Sequence, residues 1–561
     1  MPHPFRQPEI AVRYKNHHKI NMNWGQYMKK HLTVMNISVV IMLLITAVGL
    51  SFPAQFGASA EAIYAWIANS FGWLYMLAVF VFDVFLIGLI FTRYGKLKLG
   101  RYDEKPQFST LSWIGMLFSG GLGVGIVFWG VAEPMTHFLT PPLHGYEPKS
   151  IEAARLAMGY TYFHWGLSQW SIFAIAGLII GLFQFRLRKN SLVSTSMETL
   201  VGHEYPTFWR NVIDVLAIIA TVMGIATSIG MGVLQINGGL NHVFGLPNNA
   251  WSNVAIMSVI TVVFIISASS GLSRGVKWLS NLNMALAMGM MLFVLFLGPT
   301  AIIFKSLVTG IGDYLAHFVE YSLRLDPFRQ ESNWVDKWTI FYWAWVISWS
   351  PFIGAFIAQI SRGRTVKEFV IGVLIVPPLI SFVWIAAFGG TAIYQDLYQG
   401  TQIAQAVSQD YTSAMFVFLE GFPLKTVTSA ATLLLIATFL ITSADSATHV
   451  LASMSSNGSL EPKLRVKIIW GILLAAITLT LLLAGGLKSL QAGSIVAGLP
   501  FTILLILMMF AIIKVLKIEA HLVLPEQMPT LRPAKEAERY HRGEETVPTH
   551  YQGDVSEQEN K

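Results

Sequence analysis

Long apolar runs recur along the chain, separated by short polar segments. A helix that crosses a bilayer needs about 20 apolar residues, and its backbone must satisfy its own hydrogen bonds. The pattern predicts an all-α integral membrane protein with twelve transmembrane spans, numbered 1–12, over residues 32–52, 71–92, 110–138, 153–184, 211–240, 251–270, 279–304, 338–358, 368–392, 424–446, 467–485 and 495–517.

The distribution of Lys and Arg between the loops predicts the orientation. If the N-terminus is cytoplasmic and the loops alternate, the inner loops hold 17 Lys and Arg and the outer loops hold 7. Such an excess is typical of cytoplasmic loops. We therefore expect both termini to be cytoplasmic, with a basic segment at 1–31, a membrane domain at 32–517 and an acidic, disordered tail at 518–561. The outer segment at about 305–337 is expected to form an amphipathic surface helix.

Composition excludes several classes of protein. Of 561 residues, 54% are hydrophobic and 12% are charged, whereas a soluble domain carries about 25% charged residues. Cysteine is absent, which excludes disulfide frameworks and thiolate metal sites. The net charge of +7 is explained by basic inner loops, so no nucleic-acid partner is expected. The chain has no P-loop motif, which disfavours ATP-driven transport.

Two spans carry residues that interrupt helices. Span 3 has four glycines within residues 120–125, and each weakens a helix by about 1 kcal/mol relative to Ala. They either allow close helix packing or form an unwound segment that lines a cavity. Span 8 contains Pro351, which removes a backbone hydrogen bond. Matching interruptions in two halves indicate an inverted-repeat transporter, with repeats over spans 3–7 and 8–12.

Aromatic residues recur on one face of span 8. At helical spacing, four rings fall within about 60° of one another: Trp338, Tyr342, Trp345 and Trp349. Span 4 carries Trp165, Trp170 and Phe173. Such stripes pack in a core or an interfacial belt, or they hold a quaternary ammonium group against their ring faces.

These segments resemble the betaine/choline/carnitine transporter family. The run from Trp338 to Phe352 follows the family's eighth-span pattern, and three further segments are similar: Ser119–Pro134, His164–Trp170 and Thr442–Ser446. The resemblance implies a LeuT-like fold of two inverted five-helix repeats. It implies a transporter and not an enzyme. It also implies a homotrimer in the lipid of the bacterial inner membrane, and secondary uptake of a zwitterionic or cationic osmolyte for osmoprotection.

The resemblance also implies a substrate site. Its aromatic box falls on Trp165, Trp170, Trp345 and Trp349, with Phe173 where some members have Tyr. Val346 stands where the family commonly has a second Trp, which leaves the exact solute open. Backbone of the unwound third span completes the predicted set at Gly121, Gly123 and Gly125.

A sodium site is implied in the same way, and no other cofactor is expected. Its ligands would be the Thr442 and Ser443 hydroxyls and the carbonyls of Ser119, Leu122 and Phe439. The alternative for both hydroxyls is hydrogen bonding to the preceding helical turn. Met284 stands where the sodium-independent carnitine exchanger has an Arg, which favours sodium here. Ile225 replaces a Thr of a second sodium site found in some relatives, which argues against a second ion.

Other mechanisms stay open at this point. Intramembrane acids are functional candidates by default, so Asp83, Glu133 or His164 could support proton-coupled choline uptake. Carnitine/betaine exchange is a further alternative. An ion channel with a Gly-rich filter would need a symmetric pore motif, and a membrane enzyme would need a cluster of catalytic or metal-binding residues. The sequence favours neither.

Overall fold

The computed structural model describes residues 24–121, 123–202, 206–269, 273–327 and 334–523, and most of these residues are helical. The α-helices in the described part are α1 Trp24–Ser51, α2 Pro53–Phe91, α3 Thr110–Gly121, α4 Val124–Leu139, α5 Ile151–Trp165, α6 Leu167–Gly181, α7 Val193–Val201, α8 Thr207–Phe244, α9 Ala250–Ser269, α10 Ser273–Leu297, α11 Thr300–Leu323, α12 Phe341–Ile360, α13 Val366–Ile385, α14 Thr391–Tyr398, α15 Ile403–Gln409, α16 Ala414–Leu419, α17 Lys425–Ser455, α18 Leu464–Gly485 and α19 Leu487–Val523. Three π-helical turns adjoin them: Leu182–Arg186, Asp336–Ile340 and Ala386–Gly390.

The described residues contain 12 helical segments long and apolar enough to cross a membrane. The number agrees with the prediction, but two members differ. Span 3 is divided into α3 and α4, and both halves are too short to qualify. Conversely α11, which overlaps the expected surface helix at 305–337, begins earlier at Thr300, ends at Leu323 and does qualify. Residues 328–333 lie outside the described part of the chain.

The interruption predicted in span 3 is confirmed. Helix α3 ends at Gly121 and α4 begins at Val124, with Gly123 in an extended conformation between them. Leu122 lies outside the described residues, and Ser119 and Gly121 are described only as part of α3. The glycines thus divide the span into two helices, and they do more than allow close packing of one continuous helix.

The interruption predicted at Pro351 is wrong. Helix α12 continues through Pro351 to Ile360. The missing backbone N–H would have bonded to the carbonyl four residues earlier, at Ile347. The Ser350 hydroxyl donates to that carbonyl at 2.7 Å instead, so the carbonyl keeps a hydrogen bond and the helix need not open.

A break that the sequence did not predict divides span 4. Helix α5 ends at Trp165 and α6 begins at Leu167, with Gly166 between them. A Cβ at Gly166 would lie 2.6 Å from the Tyr162 carbonyl oxygen and 2.7 Å from the Tyr314 hydroxyl. The Leu167 N–H donates to that hydroxyl at 3.0 Å. A single glycine is a weak local signal, and the partner that stabilises this break comes from α11.

The helices pack in two groups around the break in span 3. Helix α12 packs against α6, α4 against α5, and α13 against α6. In the second group α17 packs against α8 and α9, and α18 against α9. The first group holds spans 3, 4, 8 and 9, which are the first two spans of each predicted repeat. Helix α19 contacts both groups through α12 and α8.

The ends of the membrane domain differ from the predicted boundaries. Helix α1 begins at Trp24 within the segment 1–31, and α19 continues to Val523 within the segment 518–561. Glu519 is buried, and its carboxylate accepts from Arg186 Nε at 2.6 Å. Residues 518–523 therefore belong to the helical domain, not to a disordered tail. Residues 1–23 and 524–561 lie outside the described residues.

Candidate functional site

A cavity of about 520 Å³ lies where the two groups of helices meet. The backbone at the start of α4 lines it, together with α8, α10, α12 and α17. The predicted site residues among its lining are Gly123, Gly125, Trp349, Phe439, Thr442 and Ser443. From there the cavity extends past Asp445 and His449 to Lys467, at the end of the bundle where α12 and α17 end and α18 begins. Loop charge predicts this end to be cytoplasmic.

The five predicted aromatic residues form one connected cluster. Trp349 stacks on Trp345 with ring centroids 6.2 Å apart, and Trp345 meets Trp165 edge-on at 6.4 Å. On the other side Phe173 lies 5.8 Å from Trp349 and 5.3 Å from Trp170. Trp349 is half-buried and lines the cavity, whereas the other four rings are buried behind it. The structure therefore brings the set together with one ring at the cavity wall.

Hydrogen bonds hold two of the indoles in place. The Trp345 indole N–H donates to Ser228 Oγ at 3.1 Å, and the Trp165 indole N–H donates to Glu133 Oε2 at 2.9 Å. The first bond joins α12 to α8, and the second joins α5 to α4. Because a buried indole N–H needs a partner, these bonds set the angle at which each ring meets the cluster.

The start of α4 brings backbone close to the rings. A Cβ on Gly125 would lie 2.6 Å from Trp345 Cη2 and 3.3 Å from Trp165 Cη2, so only glycine fits there without displacing an indole. Gly123 caps α4 without a side-chain hydrogen bond. The first N–H groups of a helix have no intrahelical acceptor and carry the positive end of its dipole. The cavity is thus flanked by an aromatic ring and a helix N-terminus.

The predicted sodium ligands are placed only in part. Phe439, Thr442 and Ser443 line the cavity on α17. The Thr442 hydroxyl donates to the preceding turn, at 3.0 Å from the Thr438 oxygen and 3.1 Å from the Phe439 oxygen. It also accepts from Asn283 Nδ2 at 3.1 Å. Thr442 thus forms the hydrogen bond to the preceding turn that was the alternative to sodium binding. A hydroxyl oxygen has two acceptor sites, and after the bond from Asn283 one remains for a cation. Ser119 lies in α3, and Leu122 lies outside the described residues.

A buried polar network lies beside the aromatic cluster. Glu133 accepts hydrogen bonds from Trp165, from Tyr342 and, at 2.6 Å, from His164 Nδ1. His164 Nε2 lies 3.0 Å from Thr339 Oγ1, and His137 Nε2 lies 3.4 Å from Glu133 Oε1. The sequence analysis named Glu133 and His164 as titratable candidates and Trp165 and Tyr342 as aromatic ones. It missed His137 and Thr339, whose only signal was their helical spacing. None of these side chains lines the cavity.

Three members of this network have the spacing of metal ligands. One ligand atom each from Glu133, His137 and His164 lies within 4.8 Å of the others, and all three residues are buried. However, Glu133 and His164 already bond to neighbouring side chains. Those bonds join α4, α5 and α12 and explain the positions of Glu133 and His164, whereas the buried ring nitrogens of His137 form no hydrogen bond within the described part of the chain.

The other intramembrane acids lie apart from the cavity centre. Asp83 on α2 is buried and accepts from Ser168 Oγ at 2.8 Å. Asp214 accepts from the backbone and hydroxyl of Ser194. Asp445 lines the end of the cavity and accepts from Ser267 Oγ at 2.9 Å. Asp83 and Asp214 therefore have structural partners, and only Asp445 borders the cavity.

Comparison with known families decides what kind of protein this is. The family model described as BCCT, betaine/carnitine/choline family transporter, matches residues 33–521. The chain belongs to this family. The match includes α2 to α18 and therefore every residue of the cavity and the aromatic cluster.

Curated BCCT transporters are similar over nearly the same region. An ectoine/hydroxyectoine transporter of Virgibacillus pantothenticus is 51% identical over 483 residues, covering 86% of this chain and 96% of the relative. The glycine betaine transporter OpuD of Bacillus subtilis (strain 168) is 46% identical over 484 residues, covering 86% and 94%. A high-affinity choline transport protein of Escherichia coli (strain K12) is 36% identical over 459 residues, covering 81% and 67%. The present chain is thus a multi-pass membrane transporter of a bacterial family whose named solutes are small osmolytes.

Proposed function

We propose that this BCCT transporter takes up a zwitterionic osmolyte of the betaine type by sodium-coupled symport. The observation that carries the proposal is the shared cavity. Trp349, the N-terminus of α4 and the hydroxyl residues Thr442 and Ser443 all line it. A cationic group, a carboxylate and a sodium ion would each find suitable chemistry there within one enclosure.

The two ends of a zwitterion suit two features of the cavity lining, the Trp349 ring and the N-terminus of α4. A quaternary or delocalised cation has no strong hydrogen-bond donor to match, and an indole face attracts it by about 0.5–2 kcal/mol. A carboxylate is favoured at a helix N-terminus, where backbone N–H groups and the dipole act together. Transporters use broken helices in this way near the midplane. Glycine betaine and ectoine carry both charges, whereas choline lacks the carboxylate.

Sodium suits a third part of the cavity lining, on α17. Hydroxyl and carbonyl oxygens are the ligands that hard cations prefer, and Thr442, Ser443 and Phe439 offer both kinds. An ion bound there would lie in the same cavity as the solute. If both bind preferentially to the state that contains this cavity, each favours binding of the other by linkage. That mutual preference is what symport requires.

The shape of the cavity fits one state of an alternating-access cycle. It reaches the bundle end at Lys467. Toward the other end aromatic rings pack around Trp129, which lies 5.3 Å from Trp338 and 5.8 Å from Tyr411 between ring centroids. We therefore propose an inward-facing state with both termini cytoplasmic, in which α3 and α4 together cross the bilayer and α11 lies along its surface, as the sequence predicts for 305–337. A homotrimer in the bilayer remains part of the proposal on the family resemblance.

Uptake into proteoliposomes tests the proposal. Labelled glycine betaine should accumulate when an inward Na⁺ gradient is imposed and should not when K⁺ replaces Na⁺. Unlabelled ectoine and glycine betaine should compete more strongly than choline, because choline lacks the carboxylate. Equal accumulation driven by a proton gradient without Na⁺ would contradict the proposal and favour proton-coupled transport. Uptake only into vesicles preloaded with carnitine or betaine would favour exchange.

A further inference from the structure

Asn283 lies at the border between the cavity and the proposed sodium site. It is buried on α10, which packs against α17, and it lines the same cavity as Thr442 and Ser443. Its Nδ2 lies 3.1 Å from Thr442 Oγ1. The residue was not among the candidates from sequence, because an isolated Asn in an apolar span carries no motif.

The bonds of Thr442 fix which way the Asn283 amide points. A hydroxyl has one proton to donate, and Thr442 directs it to the Thr438 and Phe439 carbonyls. Toward Asn283 the hydroxyl can only accept, so the amide nitrogen must face it. The amide oxygen, Oδ1, is therefore turned away from Thr442.

That oxygen has no partner in the described part of the chain. Asn283 Oδ1 is buried and forms no hydrogen bond, and it is the only such side-chain oxygen among the described residues that line the cavity. A buried acceptor without a partner is destabilising, because it has lost its hydrogen bonds to water. The bond from the amide nitrogen to Thr442 is enough to join α10 to α17. The oxygen without a partner therefore indicates a ligand.

We propose that Asn283 donates its amide oxygen as a further ligand to the sodium ion, beside the Thr442 hydroxyl. This inference rests on the proposed sodium coupling. Amide oxygens bind hard cations as carbonyls do, and the bond from Nδ2 holds the side chain next to the Thr442 oxygen. Through α10, the ion would then be bound by a helix that contributes no residue to the aromatic cluster.

Sodium titration of transport in variants tests the assignment. Asn283→Leu removes the oxygen at similar volume, and Asn283→Asp keeps an oxygen at the same place. Asn281→Ala, an exposed residue on the same helix, is the matched control. Because the ion loses one oxygen ligand, Asn283→Leu should raise the half-saturating Na⁺ concentration about tenfold, which corresponds to about 1.4 kcal/mol of binding free energy. Asn283→Asp should stay closer to wild type, and Asn281→Ala should match it.

The readouts separate this inference from the function on which it rests. At saturating Na⁺ the KM for the osmolyte should be nearly unchanged in Asn283→Leu. If wild-type uptake requires Na⁺ but its half-saturating concentration is unchanged in Asn283→Leu, the assignment is wrong and the proposed function stands. A raised osmolyte KM at saturating Na⁺, with unchanged sodium dependence, would make Asn283 a substrate residue instead. If wild-type uptake ignores Na⁺, the proposed function itself fails.

Discussion

Trp349 is the aromatic residue through which the cluster meets the cavity. It is half-buried, and the other four rings lie behind it. Trp349→Ala should weaken osmolyte binding by about 1–2 kcal/mol through the lost cation–π contact, and Trp349→Phe should lose less. Calorimetric titration of the purified variants with the osmolyte measures both changes in binding free energy.

The control for this substitution is Trp251→Ala, since Trp251 is 81% exposed on α9, away from the cavity. It should bind the osmolyte like wild type. If Trp349→Ala also binds like wild type, the ring only packs against Trp345 and Phe173, and the substrate site must lie elsewhere.

Helical spacing predicted that the aromatic residues of α12 share one face, and the family resemblance implied that they form a box with those of span 4. The contacts between Trp345, Trp349 and Phe173 confirm that they meet. Sequence could not show which ring reaches the cavity, since that depends on how α12 packs against α6 and α8. It also could not find Asn283 Oδ1, whose lack of a partner arises only from the bonds made by Thr442.

At the scale of helices, Glu133 holds three elements together. Its carboxylate on α4 accepts from Trp165 and His164 on α5 and from Tyr342 on α12. Glu133→Gln replaces one acceptor oxygen by a donor that faces other donors. Because unsatisfied buried groups cost about 1–3 kcal/mol each, we expect a lower melting temperature and weaker osmolyte binding, since Trp165 loses its fixed angle.

Thermal unfolding in detergent and osmolyte binding measure the effect of Glu133→Gln. Glu147→Gln, at an exposed position in the loop before α5, is the control and should change neither quantity. Unchanged stability and binding in Glu133→Gln would mean that the network does not support the aromatic cluster.

The continuity of α12 depends on Ser350. Its hydroxyl bonds to the Ile347 carbonyl that Pro351 leaves without a backbone donor. Ser350→Ala should therefore destabilise the protein by about 1–3 kcal/mol. In the double variant Ser350→Ala, Pro351→Ala the backbone N–H returns, so stability should recover in thermal unfolding. If the double variant is no more stable than Ser350→Ala, the hydroxyl does not compensate for the proline.

Helix breaks show where sequence reasoning reaches its limit. The glycines around Gly123 predicted a break correctly, because several weak positions add up locally. Pro351 predicted one wrongly, since a neighbouring hydroxyl replaced the lost bond. The break at Gly166 was not predicted, because it depends on a hydrogen bond to Tyr314 on a helix distant in the sequence. Local composition is thus informative when it acts alone. It fails when another side chain, either adjacent in the same helix or on a distant helix, supplies the deciding hydrogen bond.

For the whole molecule, the C-terminal boundary of the transport domain lies after Glu519. Residues 518–561 contain 9 acidic and 5 basic residues, so an anionic membrane surface should repel this segment. Some osmosensing relatives instead use a long cationic tail. We expect a chain that ends at Val523 to keep its transport and most of any response to osmolality, measured as uptake against external osmolality. Loss of a clear osmotic activation in this truncated chain would show that the tail acts as the sensor.

A shorter truncation provides the contrast. Removing residues 519–561 leaves Arg186 buried without its carboxylate partner, and breaking a buried pair costs about 3–5 kcal/mol. This chain should unfold at a lower temperature than the one that ends at Val523. Equal stability of the two would contradict the role given to the Arg186–Glu519 pair.

Coupling of the osmolyte to sodium is the central claim, and movement of sodium itself tests it most directly. Proteoliposomes with equal Na⁺ on both sides receive an inward gradient of glycine betaine, and labelled Na⁺ entry is followed. Symport predicts that the betaine gradient drives Na⁺ inward and that Thr442→Ala with Ser443→Val diminishes this flux. Betaine entry without any accompanying Na⁺ movement would contradict the account.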